Sequence, residues 1–304
     1  MSLKKIVLSH RGLYEFYFFI KGKKINKRKL DRKLLLLQNG QLRFPKNRQN
    51  IDVLVSLTSY GERLNDLKYT LYSLLQQTVK PEKIIVWLAF GEELSNELKQ
   101  FEKKGIEFKF CRDTKSYKKL IPALKEFSNK VIVTADDDIY YRKNWLKKLW
   151  YSHLKNPECK ITHIAHRLCF DKKGMLEPYI KWAHNVITAP SRKQLFPTGC
   201  GGTLYPPHPV KPDFLDESLF MKICPKADDV WFYFMGLLSG QKTVIVSRPC
   251  NHLKYVDIYK EYGLNGKSTL QAVNVEQNLN DVQIRNVMQY FGIDDQNLYQ
   301  LIME

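Results

Sequence analysis

The chain has 304 residues and a formal charge of +18, with 49 lysines and arginines against 31 aspartates and glutamates. Hydrophobic residues make up 44% of it and charged residues 26%, which is typical of a folded globular protein and excludes a disordered or collagen-like chain. Its apolar runs are shorter than the roughly 18 residues that a membrane-spanning helix needs. No small-residue cleavage site follows the apolar stretch near the N-terminus. We therefore expect neither a transmembrane nor a secreted protein.

The cysteines argue against a structural zinc site. Six of them lie far apart in the sequence and include no CxxC pair. Zinc ribbons and fingers need closely spaced ligand pairs, so neither is expected. We expect reduced thiols, as is usual for a chain without export signals.

The positive charge is concentrated at the N-terminus. Residues 1–50 contain 14 lysines and arginines and 2 acids, a net of 14 − 2 = +12, which leaves 18 − 12 = +6 for the other 254 residues. Aromatic residues at 14 and 16–19 and leucines at 34–37 alternate with the basic ones. This pattern is typical of a segment that contacts an anionic membrane surface. The alternative is a solvated arm whose apolar residues pack on the domain, and the sequence leaves both open.

Beyond residue 50, short apolar runs alternate with amphipathic segments. The runs at 51–60, 83–90, 106–111 and 130–135 predict four strands. Helices are predicted between them, from Asn65 onward with one leucine face, over 95–104 with Gly105 as the stop, and near 118–123. Alternation of strands and helices predicts a parallel sheet joined by right-handed crossovers. Such sheets bind ligands at the carboxyl ends of their strands.

The rest of the chain is less regular. Residues 159–168 and 242–247 predict two further strands, and residues 278–303 predict an amphipathic helical tail. Between the two strands lies a Gly- and Pro-rich stretch, PTGCGGTLYPPHPVKP, which predicts an irregular loop. Long loops of this kind inside a compact domain tend to be functional.

Three consecutive carboxylates, Asp136, Asp137 and Asp138, follow the predicted fourth strand directly. They repel one another, so a cation or hydrogen-bond donors must compensate them. Mg²⁺ and Mn²⁺ prefer carboxylate and phosphate oxygens, and a diphosphate carried by such an ion would suit the site. In an extended segment alternate side chains share a face, which would direct Asp136 and Asp138 into one site and turn Asp137 away. The alternative is a polar turn after a strand.

Five segments in this order resemble a known family: VSLTSYGERL, YKKLIPAL, TADDDIYY, FPTGCGGTLYPP and KADDVWF. Together they resemble the GT-A fold glycosyltransferases, in particular bacterial inverting enzymes of the family-2-like kind. The resemblance implies an α/β fold with a Rossmann-like, mostly parallel central sheet flanked by helices. It implies one catalytic domain over residues 50–255, preceded by the basic, amphipathic extension 1–49 and followed by the helical tail 256–304.

The resemblance also implies an activity. A sugar would pass from a nucleotide-sugar donor, expected to be UDP-linked, to a hydroxyl of a glycan or lipid-linked acceptor, with inversion and with Mn²⁺ or Mg²⁺ as cofactor. The setting would be the synthesis of a bacterial surface polysaccharide such as lipopolysaccharide or capsule. We expect a cytoplasmic protein, peripheral at the inner membrane's cytoplasmic face if the basic extension contacts lipid. Nucleic acid is not expected as a partner.

Carried over residue by residue, the resemblance implies a metal site of Asp136, Asp138 and His252. The expected donor-nucleotide contacts are Thr58, Tyr60, Arg63, Asp113, Lys118, Lys119 and Asp137. The expected contacts to the donor or acceptor sugar are Trp182, Gly201 and Gly202. Asp229 would be the general base and Asp228 would orient it or contact the acceptor. For these last two, stabilisation at a helix N-terminus is the simpler explanation.

Two alternatives stay open. A sugar nucleotidyltransferase would also use acidic residues and a metal, but it releases pyrophosphate and usually has a Gly-rich basic loop after its first strand, which TSYGERL does not supply. A nucleic-acid-binding protein has only the charge in its favour, since no recognised nucleic-acid motif accompanies it. The sequence specifies neither the sugar, nor the acceptor, nor the linkage.

Overall fold

The computed structural model describes residues 25–41, 44–250, 253–257 and 278–303. His252, which the resemblance assigns to a metal, lies outside the described residues, as do 1–24 of the basic extension. Within the described part, no helix is both long enough and apolar enough to cross a bilayer. No disulfide joins the six cysteines.

The first half of the described chain alternates strands and helices. It contains α1 (Lys27–Gln38), β1 (Gln49–Thr58), α2 (Leu64–Leu75), β2 (Val79–Ala89), α3 (Asn96–Lys99), β3 (Ile106–Cys111), α4 (Ile121–Glu126), β4 (Val131–Ala135) and α5 (Trp145–Lys155). A 3₁₀ turn, Gly61–Arg63, leads into α2, and another, Lys115–Lys119, precedes α4.

The second half has shorter strands. It contains β5 (Lys160–Thr162), β6 (Ala165–Arg167), β7 (Ala183–Val186), β8 (Leu195–Pro197), β9 (Thr203–Tyr205), α6 (Glu217–Ile223), α7 (Asp228–Leu238), β10 (Thr243–Ile245), α8 (Leu279–Tyr290) and α9 (Asp295–Met303). The end of α7 leads back to the central sheet through β10, which pairs with β5 in parallel.

Seven strands form the central sheet in the order β10-β5-β9-β4-β1-β2-β3. All of its neighbours are parallel except β9, which runs antiparallel to both β4 and β5. The described residues form a second sheet of three antiparallel strands in the order β7-β6-β8. The prediction of an α/β fold with a mostly parallel central sheet flanked by helices is confirmed.

The sheet is buried on both faces because side chains alternate along its strands. In β2, Ile84 and Val86 pack into one core with the leucines of α2, while Ile85 and Trp87 pack into a second core with α4 and α7. Helices therefore cover both faces, and the carboxyl ends of the strands remain as the edge on which a ligand can be bound.

Two of the sequence predictions need correction. Residues 159–168 are two short strands, β5 and β6, which belong to different sheets and are separated at His163 and Ile164. The Gly- and Pro-rich stretch is not wholly irregular, because its TLY segment is β9. The tail over 278–303 is helical as predicted, and Gly292, at a φ of 65°, divides it into two helices. Short strands that owe their place to neighbours carry too little periodicity for sequence analysis to find them.

Candidate active site

Two groups of acids from distant parts of the chain meet at one lysine. Asp136 follows β4 at the carboxyl edge of the sheet, and Asp228 begins α7. The Nζ atom of Lys119 lies 2.6 Å from a carboxylate oxygen of Asp136 and 3.1 Å from one of Asp228. The structure therefore brings together the acidic triplet and the second acidic pair that the sequence analysis singled out.

Lys119 is held in place from its backbone. The hydroxyl of Ser56, in the middle of β1, donates a 2.7 Å hydrogen bond to the carbonyl oxygen of Lys119. Only 9% of the Lys119 side chain is exposed. Burial opposes the charge on the amine, but Asp136, Asp228 and Asp229 outweigh it and hold the pKa of Lys119 well above its ordinary value. The lysine is thus a fixed positive charge at the centre of the acids.

Asp229 is oriented by the loop that follows β8. The backbone N–H of Gly199 donates to both of its carboxylate oxygens, at 3.0 and 3.1 Å. A Cβ at position 199 would lie 3.0 Å from both Asp229 Oδ1 and Lys119 Nζ, which is tighter than ordinary contact. A larger residue here would therefore push the carboxyl or the amine from its present position.

The surroundings of Asp229 favour its protonated form. Withdrawal from bulk water and repulsion from Asp228 raise its pKa to about 7, although Lys119 and the N–H of Gly199 oppose the shift. Asp228 has its Oδ2 atom buried with no hydrogen-bond partner of good geometry among the described residues, and this atom faces Lys119. A carboxyl with a pKa near neutrality beside an incompletely satisfied carboxylate is an arrangement that suits proton transfer.

Arg63 forms a second ion-paired centre with the other two acids of the triplet. Its Nε atom lies 2.9 Å from Asp137 Oδ2, and its Nη2 atom lies 2.6 Å from Asp138 Oδ2. The hydroxyl of Ser59 donates a 2.6 Å hydrogen bond to Asp137 Oδ2. Burial opposes the charge on the guanidinium, but Asp137 and Asp138 outweigh it and raise the pKa of Arg63.

The alternation argument predicted that Asp136 and Asp138 share a site and that Asp137 is turned away, but Asp137 and Asp138 share Arg63 and Asp136 pairs with Lys119. The alternation of side chains holds only while the backbone is extended, and β4 ends at Ala135. Asp137 is buried, and its carbonyl oxygen accepts from the hydroxyl of Thr70 in α2 at 2.7 Å. Asp137 therefore fastens the turn after β4 to β1 and α2.

Asp136 and Asp138 supply the oxygen donors that Mg²⁺ and Mn²⁺ prefer. Burial raises the pKa of Asp138 to about 6 against the effect of Arg63, so this carboxyl would gain from a cation. No three His, Cys, Asp or Glu side chains within the described ranges are grouped to hold an ion. Mg²⁺ at phosphate-handling sites commonly uses one or two carboxylates, and substrate phosphates complete its ligands. Asp136 and Asp138 are donors of the type that such a metal uses, although Asp136 pairs with Lys119 and Asp138 with Arg63, and their binding of a metal stays a prediction.

Other residues predicted to contact the nucleotide lie along the same edge, beside β1 and β3. The hydroxyl of Thr58 donates to the carbonyl oxygen of Trp87, at 2.7 Å. Tyr60 is exposed, with the Arg63 guanidinium 5.7 Å from its ring centre. Asp113 pairs with Lys118, and that hydrogen bond lowers the pKa of Asp113. Their contact with a nucleotide stays a prediction.

The residues predicted to contact sugars pack into the protein. The indole N–H of Trp145 donates to the carbonyl oxygen of Gly201, at 2.8 Å. Gly202 has a φ of 81°, and a Cβ there would lie 2.4 Å from the same indole. Trp182 is buried and donates to the carbonyl oxygen of Glu177, at 2.8 Å. These contacts account for the residue types by packing alone, and the predicted sugar contacts stay predictions.

The sequence analysis missed three side chains or backbone groups of the site. Gly199 was recognised only as part of the Gly- and Pro-rich loop, and Ser59 and Tyr141 were not singled out. Tyr141 lies beside the acids, because its hydroxyl oxygen accepts a 2.8 Å hydrogen bond from the backbone N–H of Asp136. For Tyr141 and Ser59 the available signal was their position beside a strand end that carries acids. The direction of the Gly199 N–H depends on long-range packing, which leaves no signal in the sequence.

Comparison with known proteins gives little to identify the chain. No protein-family model matches the sequence, and no curated protein matches it. Among solved structures, it is similar to CMP:2-keto-3-deoxy-manno-octonic acid synthetase complexed with CTP, at a TM-score of 0.39 and 10% identity over 66% of this chain and 91% of that one. It is also similar to the inositol-1-phosphate CTP transferase from T. maritima, at 0.38 and 11% over 67% and 86%. TM-scores of this size establish neither a shared family nor a shared activity.

Proposed function

We propose that this chain is a glycosyltransferase that moves a sugar from a nucleotide-sugar donor to a hydroxyl of a glycan or lipid-linked acceptor. The observation that carries the proposal is the meeting of the two acidic groups around Lys119 and Gly199. Sugar transfer needs two chemical roles close together, namely neutralisation of a leaving diphosphate and removal of a proton from the incoming alcohol.

Asp229 is the proposed general base. Its pKa of about 7 lets it be ionised in half the molecules near neutral pH and still accept a proton from a hydroxyl. Simple stabilisation at a helix N-terminus would predict the opposite shift, since a helix dipole favours the charged carboxylate. Gly199 fixes the orientation of the carboxyl, and Asp228 keeps its pKa high by repulsion.

The other side of the site is proposed to hold the donor phosphates. Asp136 and Asp138 would hold Mn²⁺ or Mg²⁺, which when bound supplies Lewis-acid neutralisation of the diphosphate. Lys119 and Arg63 now compensate these two carboxylates. Arg63 would offer its planar fork of donors to the phosphate oxygens, while Lys119 would keep its place between Asp136 and Asp228.

The second candidate is a sugar nucleotidyltransferase, the alternative that the sequence left open. The presence of two cations among the carboxylates favours it, because a nucleoside triphosphate carries more negative charge than a diphosphate ester. The environment of Asp229 favours glycosyl transfer, because a phosphate nucleophile is already ionised and needs no base.

The nature of the released nucleotide distinguishes the two candidates. The full chain is incubated with Mn²⁺ and either UDP-, GDP-, dTDP- and CMP-sugars, whose sugar passes to water where no acceptor hydroxyl is supplied, or nucleoside triphosphates with sugar 1-phosphates, and the products are separated by anion exchange. We expect a nucleoside diphosphate (or CMP, from a CMP-sugar) from one nucleotide sugar and no pyrophosphate. Pyrophosphate released from a triphosphate, with the nucleotide sugars intact, would establish the second candidate instead. Turnover that persists in EDTA would refute only the metal requirement and would leave the proposed sugar transfer standing.

A further inference from the structure

Helix α1 of the basic N-terminal extension is docked on the catalytic domain by one face. Leu30, Leu34 and Leu37 are buried in the core beside α2. Lys27 pairs with Asp66 at 2.8 Å, and Asp31 accepts a 2.7 Å hydrogen bond from the hydroxyl of Tyr69. The apolar residues of this inner face behave as the packed-arm interpretation predicted, and they fix the direction of the opposite face.

The outer face of α1 combines exposed cations with exposed leucines. Arg28, Lys29 and Arg32 are exposed. Leu35 and Leu36 follow them and are 57% and 42% exposed. The helix KRKLDRKLLLLQ contains one acid, Asp31, and its carboxylate accepts a hydrogen bond from the Tyr69 hydroxyl on the inner side. The outer face therefore presents positive charge beside apolar surface, and α1 itself contributes no unengaged carboxylate to that face.

A cavity of about 180 Å³ lies beside the C-terminal part of α1, on its inner side. Lys103 and Lys104 line it together with Leu34, Leu37 and one acid, Glu97, so these lysines add nothing to the outer face. The sequence before α1 is itself basic, since residues 1–24 contain six lysines and arginines against one glutamate.

We infer that the outer face of α1 docks on an anionic membrane surface. Basic side chains near such a surface each contribute on the order of 1 kcal/mol, through attraction to acidic headgroups. Exposed leucines beside them gain by entering the boundary between headgroups and acyl chains, as in interfacial helices. A nucleic acid would satisfy the cations but would leave Leu35 and Leu36 in water. The combination therefore favours lipid, and this inference is independent of the reaction proposed above.

Vesicle sedimentation of the full chain tests the inference. The vesicles contain phosphatidylcholine alone or with a minority of phosphatidylglycerol, each at low and high salt. The charge variant carries Arg28→Gln, Lys29→Gln and Arg32→Gln, and the apolar variant carries Leu35→Ser and Leu36→Ser. The matched control, Lys172→Gln, Lys211→Gln and Lys222→Gln, removes the same charge from exposed positions elsewhere.

We expect the native chain to bind only the anionic vesicles and to lose binding at high salt. The charge variant should bind about a hundredfold more weakly, following the contribution of three basic residues. The apolar variant should bind several-fold more weakly and keep its salt dependence, while the control stays native-like. Native-like binding by both α1 variants, or equal losses in the control, would overturn the inference.

Two further measurements keep the test decisive. Thermal melting should be unchanged in the charge variant, because its three side chains are exposed; if that variant fails to fold, the apolar variant decides. Binding of the native chain to a duplex oligonucleotide at physiological salt, without binding to anionic vesicles, would also contradict the inference.

Discussion

The Arg63 centre and the Lys119 centre have similar composition but different degrees of satisfaction. Asp137 in the first is buried and receives hydrogen bonds from Arg63 and Ser59. In the second, Asp228 Oδ2 lies 3.1 Å from Lys119 Nζ but has no hydrogen bond of good geometry among the described residues, and the pKa of Asp229 is raised to about 7. A carboxylate with several partners, such as Asp137, stabilises the fold, whereas a buried carboxyl with a pKa near neutrality, such as Asp229, can exchange a proton. The comparison predicts that substituting Asp137 mainly affects stability and that substituting Asp228 or Asp229 mainly affects activity, while Lys119, as the cation shared by two buried acids, is needed for stability.

Lys119→Met should have the largest effect. It leaves Asp136 and Asp228 near each other without their shared cation, and breaking a buried ion pair by removing one partner costs about 3 to 5 kcal/mol. The free energy of unfolding from denaturant titration measures this loss. Lys125→Met removes an exposed pair with Glu217 and should change stability by no more than about 1 kcal/mol. Equal losses in the two variants would show that Lys119 is not the common partner of the acids.

Asp137→Asn should destabilise the protein by about 2 to 3 kcal/mol, because Arg63 loses its buried charged partner. The same titration measures it, with Asp52→Asn as the control, since Asp52 is an exposed carboxylate that pairs with Lys130. The rate of sugar transfer per folded molecule should stay close to that of the native chain, because Asp137 is expected to support the fold and not the chemistry. If Asp137→Asn instead left stability intact and abolished transfer, the contrast between the two centres would be wrong.

Lys160 in β5 provides a third comparison, a buried amine that pairs with no carboxylate of the described residues. Its Nζ atom contacts the carbonyl oxygen of Phe232 in α7 at 3.4 Å, and burial lowers its pKa from 10.5 to about 7. Between these two pH values the unfolded chain binds a proton that the folded chain does not, so stability rises with pH from about 7 to 10.5. Lys160→Met should remove this rise and stabilise the protein at pH 7 by about 1 to 3 kcal/mol. A pH dependence identical to that of the native chain would contradict the assignment.

Asp228→Asn should have the smallest effect, a displacement of the pH profile of transfer. A base must be ionised, so the native rate should rise as pH passes through about 7. Removing the charge of Asp228 removes repulsion on Asp229, lowers the pKa of Asp229 and moves the rise to lower pH. The profile of kcat/KM against pH measures the shift. An unshifted profile would mean that Asp228 does not influence the base.

The sequence predicted the first half of the sheet well and the second half poorly. β1 to β4 are long apolar strands separated by amphipathic helices, so periodicity and position in the chain were enough to place the acids at the carboxyl edge. β5, β6, β8 and β9 have three residues each, and their pairing depends on neighbours that are distant in sequence. Tertiary context decides such segments, and no local pattern reports it.

The same limit applied to the site. The types and spacing of Asp136 to Asp138 and of Asp228 and Asp229 were sufficient to select them. The sequence did not predict that Lys119 would join the two groups, because Lys118 and Lys119 are alike in sequence and only their backbone positions separate them. Lys118 pairs with Asp113 instead. The inward direction of Asp137 depended on where β4 ended, which a residue-by-residue alternation could not specify.

The most direct test of the proposed function is a single-turnover comparison of the native chain with Asp229→Asn, using the nucleotide sugar that stabilises the native chain most against thermal unfolding. Donor affinity is measured by titration and sugar transfer by rapid quench. The proposal predicts unchanged donor affinity and a rate of transfer reduced about 10²- to 10⁴-fold, as expected for loss of a general base. Native rates of transfer in Asp229→Asn would contradict it.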